Sequence, residues 1–250
     1  MQYRPLGPAN GLRLSIRLGI DTEPFPRLRP WRLRWLEPPK DKRLGPLIQA
    51  ERSIPADAIA DLGARGLHPH ERDAEADVAL TEAQALIDLI PMMSQAIGER
   101  VRGIGLLKSA GPDYDTSHSE PRWPGWIFLS VPPRGPRRAL RVTEAVIHEA
   151  MHHHLSALED ATPLALPGQR VFSPWKRERR EVSGVVHGVY VFTCLLASFR
   201  QLQCAAIDGA EERVAEIKRE IGAIDRAALR VGLTPTGDQL VTALFCDAAD

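Results

Sequence analysis

The stretch VIHEAMHHHLSALED, residues 146–160, has the periodicity of a helix that buries one of its faces. Its apolar residues recur at intervals of three and four, which places them in one stripe along a helix: Ile147, Met151, Leu155 and Leu158. This stripe lies next to the two histidines that begin and end the segment HEAMH. We therefore predict a core helix whose histidine-bearing face is partly buried.

The HEAMH segment places His148 and His152 four residues apart. In a helix, this spacing separates two side chains by about 40° of azimuth and roughly 6 Å of rise, so both imidazoles can bind one ion. In zinc peptidases with this motif, the residue corresponding to Glu149 takes a proton from metal-bound water. We predict that His148 and His152 bind a catalytic divalent metal ion. The alternative is a polar helix face with a histidine run; His153 and His154 point away from the pair and are interpreted as helix-surface residues.

A third metal ligand is expected from a residue downstream of the motif. Glu159 and Asp160 lie two or more turns from His152, too far along the helix axis to reach the same ion. Glu181 and His187 begin a second element that could fold back towards the pair. We favour His187, because an unpartnered imidazole within its apolar surroundings would be costly. The alternatives are Glu181 as the ligand and a core His187 bonded to another side chain.

Alternating apolar and polar residues predict strands in the first half of the chain. The alternation runs through the first forty residues, and strand-like runs return at 101–108 and 125–131. Between these strands, 54–66 and 81–98 have helical spacing, and Pro91 is expected to kink the second helix. Residues 67–78 are interpreted as a polar linker with solvated histidines.

Helical patterns follow towards the C-terminus, at 183–207, 211–231 and 239–247. Strands first and helices later predict an α+β fold, in which a small mixed or antiparallel sheet packs on a mostly helical C-terminal half with a zincin-like HExxH helix. We expect a single domain over 1–250, with a strand-rich or irregular lobe at 1–80 and a metal-binding catalytic core at 81–250.

The composition is that of an ordinary globular protein of 250 residues, with 44% apolar and 26% charged residues. Thirty-two basic residues balance thirty-two acidic ones, so no global field favours nucleic acid or an anionic membrane. The apolar run 185–199 is short for a membrane span of about 20 residues and is interpreted as a buried helix. Cys194, Cys204 and Cys246 are interpreted as reduced core thiols, which together with an N-terminus lacking an apolar signal segment favours the cytoplasm.

The segment PWKRERR, residues 174–180, places four cations beside Trp175 between the two predicted helices. Charge runs usually form solvated surface. A short connection between two metal-bearing helices would nevertheless bring at least one cation close to the ion. A guanidinium binds a carboxylate through two hydrogen bonds, so Arg180 would suit an anionic cosubstrate or a peptide C-terminus.

Three stretches in this order resemble one protein family: VIHEAMHHHLSALEDATPL, then FSPWKRERREVSG, then VVHGVYVF. They resemble the HExxH-domain proteins encoded beside ribosomally made, post-translationally modified peptides. The match covers residues 146–203 and, as an ordered set, is more specific than HExxH alone. The best-understood branch of this family looks like 2-oxoglutarate-dependent, non-haem iron peptide β-hydroxylases.

This resemblance implies Fe(II) in place of zinc, with 2-oxoglutarate as cosubstrate and O2 as oxidant. His148 and His152 match the motif histidines, His187 the histidine of the HG-x-Y segment, and Arg180 the second arginine of the basic segment. The implied reaction hydroxylates a side-chain β-carbon of a ribosomal precursor peptide. The chain departs from the family pattern by having lysine instead of arginine at Lys176.

Arg179 and Glu181 are further departures, since the family pattern has prolines at both positions. Trp175 and Lys176 join Arg180 as predicted cosubstrate-binding residues. A peptide substrate is expected to add to the edge of the strand at 126–131.

Two other functions are compatible with the same residues. The first is an HExxH zinc metallopeptidase in which Glu149 is the general base and no anion clamp is needed. The second is a non-catalytic partner that binds a precursor peptide through the Trp175 loop and holds no tight metal. The oligomeric state, the substrate peptide and the role of residues 1–80 are not indicated by any pattern in the chain.

Overall fold

Helices surround a small sheet in the computed structural model, which describes residues 47–50, 52–109, 111, 115–135 and 137–249. The strands predicted within the first forty residues lie outside these ranges. The helices are α1 Ala56–Ala64, α2 Ala74–Ile87, α3 Pro91–Arg100, α4 Arg138–Glu159, α5 Val182–Cys204, α6 Ala210–Gly222, α7 Arg226–Val231 and α8 Pro235–Ala249. The strands are β1 Pro69–His70, β2 Gly103–Leu107, β3 Ser117–Ser119, β4 Trp126–Ser130, β5 Arg170–Ser173 and β6 Glu178–Glu181.

Four strands form a mixed sheet in the order β1-β2-β4-β3. Strands β2 and β4 are parallel, and the outer strands β1 and β3 run antiparallel to their neighbours. The predicted α+β fold with a small mixed sheet is thus confirmed. The predicted docking edge on the strand at 126–131 is wrong, because β4 is paired on both sides. Among the described residues, β3 is the outer strand on the side of β4.

Both faces of the sheet are covered, which explains why β2 and β4 are continuous apolar runs rather than alternating ones. On one face, Ile104, Leu106, Ile127 and Leu129 belong to the main core. On the other face, Leu107, Trp126 and Phe128 pack with Trp123 and with Ala58 and Leu62 of α1. The strands predicted at 101–108 and 125–131 are confirmed, each shortened by one to three residues.

Helix α4 carries HEAMH through the middle of the protein, where it packs against β3, β4, α2, α3 and α5. The predicted apolar stripe is confirmed, since all four of its residues are buried. Near its N-terminus, the buried guanidinium of Arg138 binds the carboxylates of Glu75 and Glu82 on α2, the latter at 2.8 Å. Thr143 adds a hydrogen bond of 3.3 Å to the carbonyl oxygen of Ala83. These contacts fix the position of α4 against α2.

Helix α5 packs beside α4 and, with α6 and α8, forms the helical C-terminal half. Within the described part of the chain, α5 is the one helix long and apolar enough to cross a membrane. About two thirds (67%) of its apolar window is buried by the rest of the protein, so the prediction of a buried core helix is confirmed. Val214, Ile217 and Ile221 form the buried face of α6, as its amphipathic pattern predicts.

Two predicted helices are each divided in the structure. The segment predicted at 81–98 becomes α2 and α3, because Pro91 is the first residue of α3 rather than a kink. Proline suits that position, since its missing N–H has no helical partner there. Helix α2 starts earlier than predicted because Asp73 accepts a hydrogen bond from the amide of Ala76. The segment predicted at 211–231 breaks into α6 and α7, and Asp225 caps α7 in the same way.

Four of the described strands, β1, β3, β5 and β6, were not predicted from the sequence, and the interpretation of 67–78 as a linker is wrong because β1 and the start of α2 lie within it. β3 is a short polar strand, and the residues of β6 are all exposed, so neither shows an apolar alternation. β5 and β6 form a separate antiparallel hairpin before α5. The three cysteines form no disulfide; Cys194 is buried as predicted, whereas the prediction of core positions for Cys204 and Cys246 is wrong because both are exposed.

Candidate metal centre

The Nε2 atoms of His148 and His152 lie 3.2 Å apart on successive turns of α4. Two imidazole nitrogens bound to one ion at 2.0–2.1 Å are separated by about 2.9 Å in octahedral geometry and about 3.4 Å in tetrahedral geometry. The observed separation falls between these values. The separation of the two nitrogens is therefore compatible with one shared ion. Within the described residues, however, no group of three His, Cys, Asp or Glu side chains is arranged to hold a metal ion.

Both histidines of the pair are neutral imidazoles at neutral pH, which is the form that binds metals. The pKa of His148 is lowered to about 4, chiefly by burial and then by the charges of Lys176 and Arg213. Burial lowers the pKa of His152 to about 3, with His148 as the next contribution. Protons therefore compete weakly with a metal ion for these nitrogens above pH 5.

His187 contacts His152 on the ring edge opposite His148. The Nδ1 atoms of His187 and His152 are 3.0 Å apart, and the Nε2 atom of His187 lies 2.7 Å from the carboxylate of Glu159. Both nitrogens of His187 thus have partners, which meets the cost of burying its imidazole. Glu181, the alternative third ligand, is exposed at the start of α5, and Asp160 is exposed at the end of α4.

Glu149 is only 4% exposed and points towards the sheet. Its carboxylate accepts a hydrogen bond of 2.5 Å from the hydroxyl of Ser119, at the end of β3. A carboxylate beside a histidine pair and next to a strand edge can orient or deprotonate a metal-bound water. Ser119 was not expected from the sequence, because its strand has no apolar pattern.

The prediction that His153 and His154 lie on the helix surface is wrong. His153 donates a hydrogen bond from Nε2 to the carbonyl oxygen of Trp126, at 2.7 Å, and is 7% exposed. The Nδ1 atom of His154 forms a hydrogen bond of 2.6 Å with the hydroxyl of Tyr190, and His154 is 2% exposed. The angle around the helix axis between a residue and His148 predicts where its side chain points. It does not predict whether another element covers that side of α4, as is the case for both residues.

The turn of the β5–β6 hairpin carries Trp175 onto α5 beside the histidine pair. The ring of Trp175 stacks on Phe192 with centroids 4.8 Å apart, and Phe192 meets His148 edge to face at 5.8 Å. Gly188 permits this approach, since a Cβ atom there would lie 2.5 Å from the Trp175 ring. The HG-x-Y segment thus needs its glycine for packing.

Cations border the His148 side of the centre. Lys176 follows Trp175 in the hairpin turn, and its charge contributes to the low pKa of His148. Arg213 of α6 reaches the same region and is held by Glu144 at 2.6 Å. Glu144 lies one turn before His148 on α4, so its helical spacing could have identified it as a neighbour of the site. No local sequence pattern indicated Arg213. The side chain of Arg180 is 45% exposed and forms an ion pair of 3.7 Å with Glu178.

No protein-family model matches this chain, and no curated protein sequence matches it. The likeness to HExxH-domain proteins of peptide-modification pathways therefore stays a prediction that rests on the motifs.

Proposed function

We propose that this chain is a non-haem Fe(II)/2-oxoglutarate-dependent dioxygenase that hydroxylates a side-chain β-carbon of a ribosomal precursor peptide. The observation that carries the proposal is the pair of neutral imidazoles, with Nε2 atoms 3.2 Å apart, beneath an aromatic and cationic hairpin turn. The spacing of the two imidazoles suits a metal ion, and the positive charges of the hairpin suit an anionic cosubstrate. Bound iron, with O2 and 2-oxoglutarate, supplies the oxidation of an unactivated C–H bond and yields succinate and carbon dioxide.

In this function, the residues around the histidine pair would have separate roles. His148 and His152 hold the ion through Nε2. Lys176, the hairpin cation whose charge acts on His148, attracts a carboxylate of 2-oxoglutarate. Trp175 and Phe192 form an apolar wall that keeps water from the His148 side of the centre.

Arg180 is a second candidate for cosubstrate binding. In the hairpin it pairs with Val171, and directly opposite residues of an antiparallel pair share a face. Val171 is buried, so the side chain of Arg180 leaves the hairpin on the inner face. Its side chain is 45% exposed and would exchange its contact with Glu178 for one with an anion.

A zinc metallopeptidase is the second candidate, and the contact between Glu149 and Ser119 favours it. A buried carboxylate beside the pair, close to the outer strand β3, suits a general base that acts on a peptide paired with that strand. In this function Glu149 takes a proton from a metal-bound water, and Lys176 has no required role.

Succinate formation separates the two enzymes. Iron-loaded protein is incubated under air with 2-oxoglutarate, with and without precursor peptides, and succinate is measured. We expect slow uncoupled succinate formation without peptide, faster formation with a substrate peptide, and none with His148→Ala. No succinate under either condition, together with peptide cleavage by the zinc form, would replace the hydroxylase by the peptidase.

Metal content tests the non-catalytic alternative, a precursor-peptide-binding partner. Elemental analysis after anaerobic purification should find about one iron or zinc ion per chain in the wild-type protein and a clear loss in His148→Ala. A wild-type chain without tightly bound metal would favour the non-catalytic partner.

A further inference from the structure

Glu159, His187 and His152 form a continuous chain of hydrogen bonds that ends at the candidate metal centre. Glu159 is the last residue of α4, seven residues after His152 and therefore on the same face, about 10 Å farther along the axis. His187 of α5 fills the gap between them, with contacts of 2.7 Å to Glu159 and 3.0 Å to His152. The side chains of Glu159 and His187 are 24% and 16% exposed, so solvent screens these contacts only in part.

The carboxylate sets the direction of every hydrogen bond in this chain. An ionised carboxylate only accepts, so the Nε2 atom of His187 must carry its proton. In the uncharged form of His187 the Nδ1 atom is then an acceptor, and it receives the Nδ1 proton of His152. This arrangement leaves the Nε2 lone pair of His152 free, on the side where the Nε2 atom of His148 lies.

Among the uncharged tautomers of His187, the reverse direction is unfavourable. If His187 donated from Nδ1 to His152, the Nε2 lone pair of His187 would face the carboxylate of Glu159 at 2.7 Å, and two acceptors would oppose each other in a partly buried site.

We propose that Glu159 and His187 are positioning residues that hold His152 in the tautomer that binds metal through Nε2, and that His187 is not itself a metal ligand. The proposal rests on the metal centre proposed above. For His187 to ligate the same ion through Nδ1, it would have to leave His152, because its Nδ1 atom lies against the outer nitrogen of His152. Hydrogen bonds from a second residue to a ligating imidazole typically change metal affinity by about 10- to 100-fold.

The first test identifies the ligating nitrogens directly. Protein labelled with 15N is loaded with 113Cd(II), and one-bond 113Cd–15N couplings are measured by NMR, with signals assigned from single histidine variants. We expect couplings to the Nε2 atoms of His148 and His152 and none to His187. A coupling to either nitrogen of His187 would overturn the proposal while leaving the metal centre intact.

The tautomers are measured in the same labelled protein without metal. Long-range 1H–15N spectra should show a protonated Nε2 and an unprotonated Nδ1 in His187, and a protonated Nδ1 in His152. In Glu159→Gln, the new amide can donate to His187, so its Nδ1-protonated tautomer should appear. A wild-type His187 protonated at Nδ1 would contradict the proposed direction.

Zinc affinity, measured by competition with a chromophoric chelator, supplies the second test. We expect Glu159→Ala and His187→Ala to weaken zinc binding by about 10- to 100-fold. His148→Ala should abolish tight binding. Asp160→Ala is the matched control, because it removes an exposed carboxylate next to Glu159 and should leave the affinity unchanged.

The outcomes distinguish this proposal from the metal centre itself. If the wild-type protein does not bind zinc, or if His148→Ala binds zinc as tightly as the wild type, the metal centre fails and the positioning role fails with it. If His187→Ala weakens binding as strongly as His148→Ala, or if Glu159→Ala has no effect, only the positioning role is overturned.

Discussion

The indole ring of Trp175 lies on the phenyl ring of Phe192, with their planes inclined by 24°. Phe192 in turn stands edge-on to the imidazole of His148, with the two planes at 88°. The hairpin turn, α5 and α4 are therefore connected by a line of aromatic contacts. We therefore expect a substitution in the turn to alter the candidate metal centre even when His148 and His152 are both retained.

Replacing Trp175 tests this connection. We expect Trp175→Ala to lower the free energy of unfolding by about 1–3 kcal/mol, because the aromatic pair and part of a large buried surface are lost. The KM for 2-oxoglutarate in succinate formation should rise as water enters the His148 side. Phe172→Ala is the control, since Phe172 is on the same hairpin but 51% exposed, and both quantities should stay near the wild-type values.

Gly188→Ala should disturb the same stack from the other side. The added Cβ would lie 2.5 Å from the Trp175 ring, so the indole must move, and we expect a loss of about 1–3 kcal/mol in urea unfolding. Gly184→Ala is the control in the same helix, where no atom lies within 4 Å of the added Cβ. It should stabilise the protein by about 0.5–1 kcal/mol, as alanine favours helix. Equal effects of the two substitutions would argue against close packing at Gly188.

Lys176→Ala tests the origin of anion binding. Loss of a charge-assisted hydrogen bond worth about 1.5–3 kcal/mol should raise the KM for 2-oxoglutarate by about 10- to 150-fold. The turnover number at saturation should change less. Arg177→Ala removes an equal charge from the neighbouring exposed position and should have a much smaller effect. If both variants raise the KM for 2-oxoglutarate equally, the hairpin attracts the anion through its total positive charge rather than through a specific contact with Lys176.

The stability of the metal-free protein should fall as the pH is lowered from about 6.5 to 4. Burial is the largest cause of the low pKa values of His148, about 4, and of His152 and His154, both about 3. The unfolded chain takes up protons near pH 6.5 while the folded chain does not, so unfolding is favoured as the pH falls. Each histidine contributes a slope of about 1.4 kcal/mol per pH unit, which ends near its folded pKa.

Urea unfolding at a series of pH values measures this slope. His154→Gln should reduce the slope by the contribution of one histidine, because the other two buried histidines remain. Tyr190, the hydrogen-bond partner of His154, is retained in this variant. A variant slope equal to that of the wild type would show that His154 is protonated in the folded protein.

The histidine pair could be predicted from sequence because its geometry is local. Spacing of four in a helix brings His148 and His152 together whatever the rest of the chain does. The apolar stripe containing Ile147 was predictable for the same reason. Periodicity reports which residues share a face, and both predictions needed nothing more.

The surroundings of the pair depend on packing between distant segments, which periodicity does not report. The contact between His187 and Glu159 requires the chain from 160 to 181 to return α5 alongside α4, and no motif encodes that path. Likewise, His153 was assigned to the surface because a helical pattern cannot say how many sides of α4 are covered. β3 was missed because its three residues are polar.

The length and polarity of β3 have a consequence for the behaviour of the protein in concentrated solution. An outer strand with unpaired backbone groups can template the pairing of further chains, and long apolar edges lead to aggregation. Ser117, His118 and Ser119 offer only three residues and no apolar surface for such pairing. Among the described residues, the sheet edge nearest Glu149 is therefore short and polar, and it has little tendency to pair with further chains.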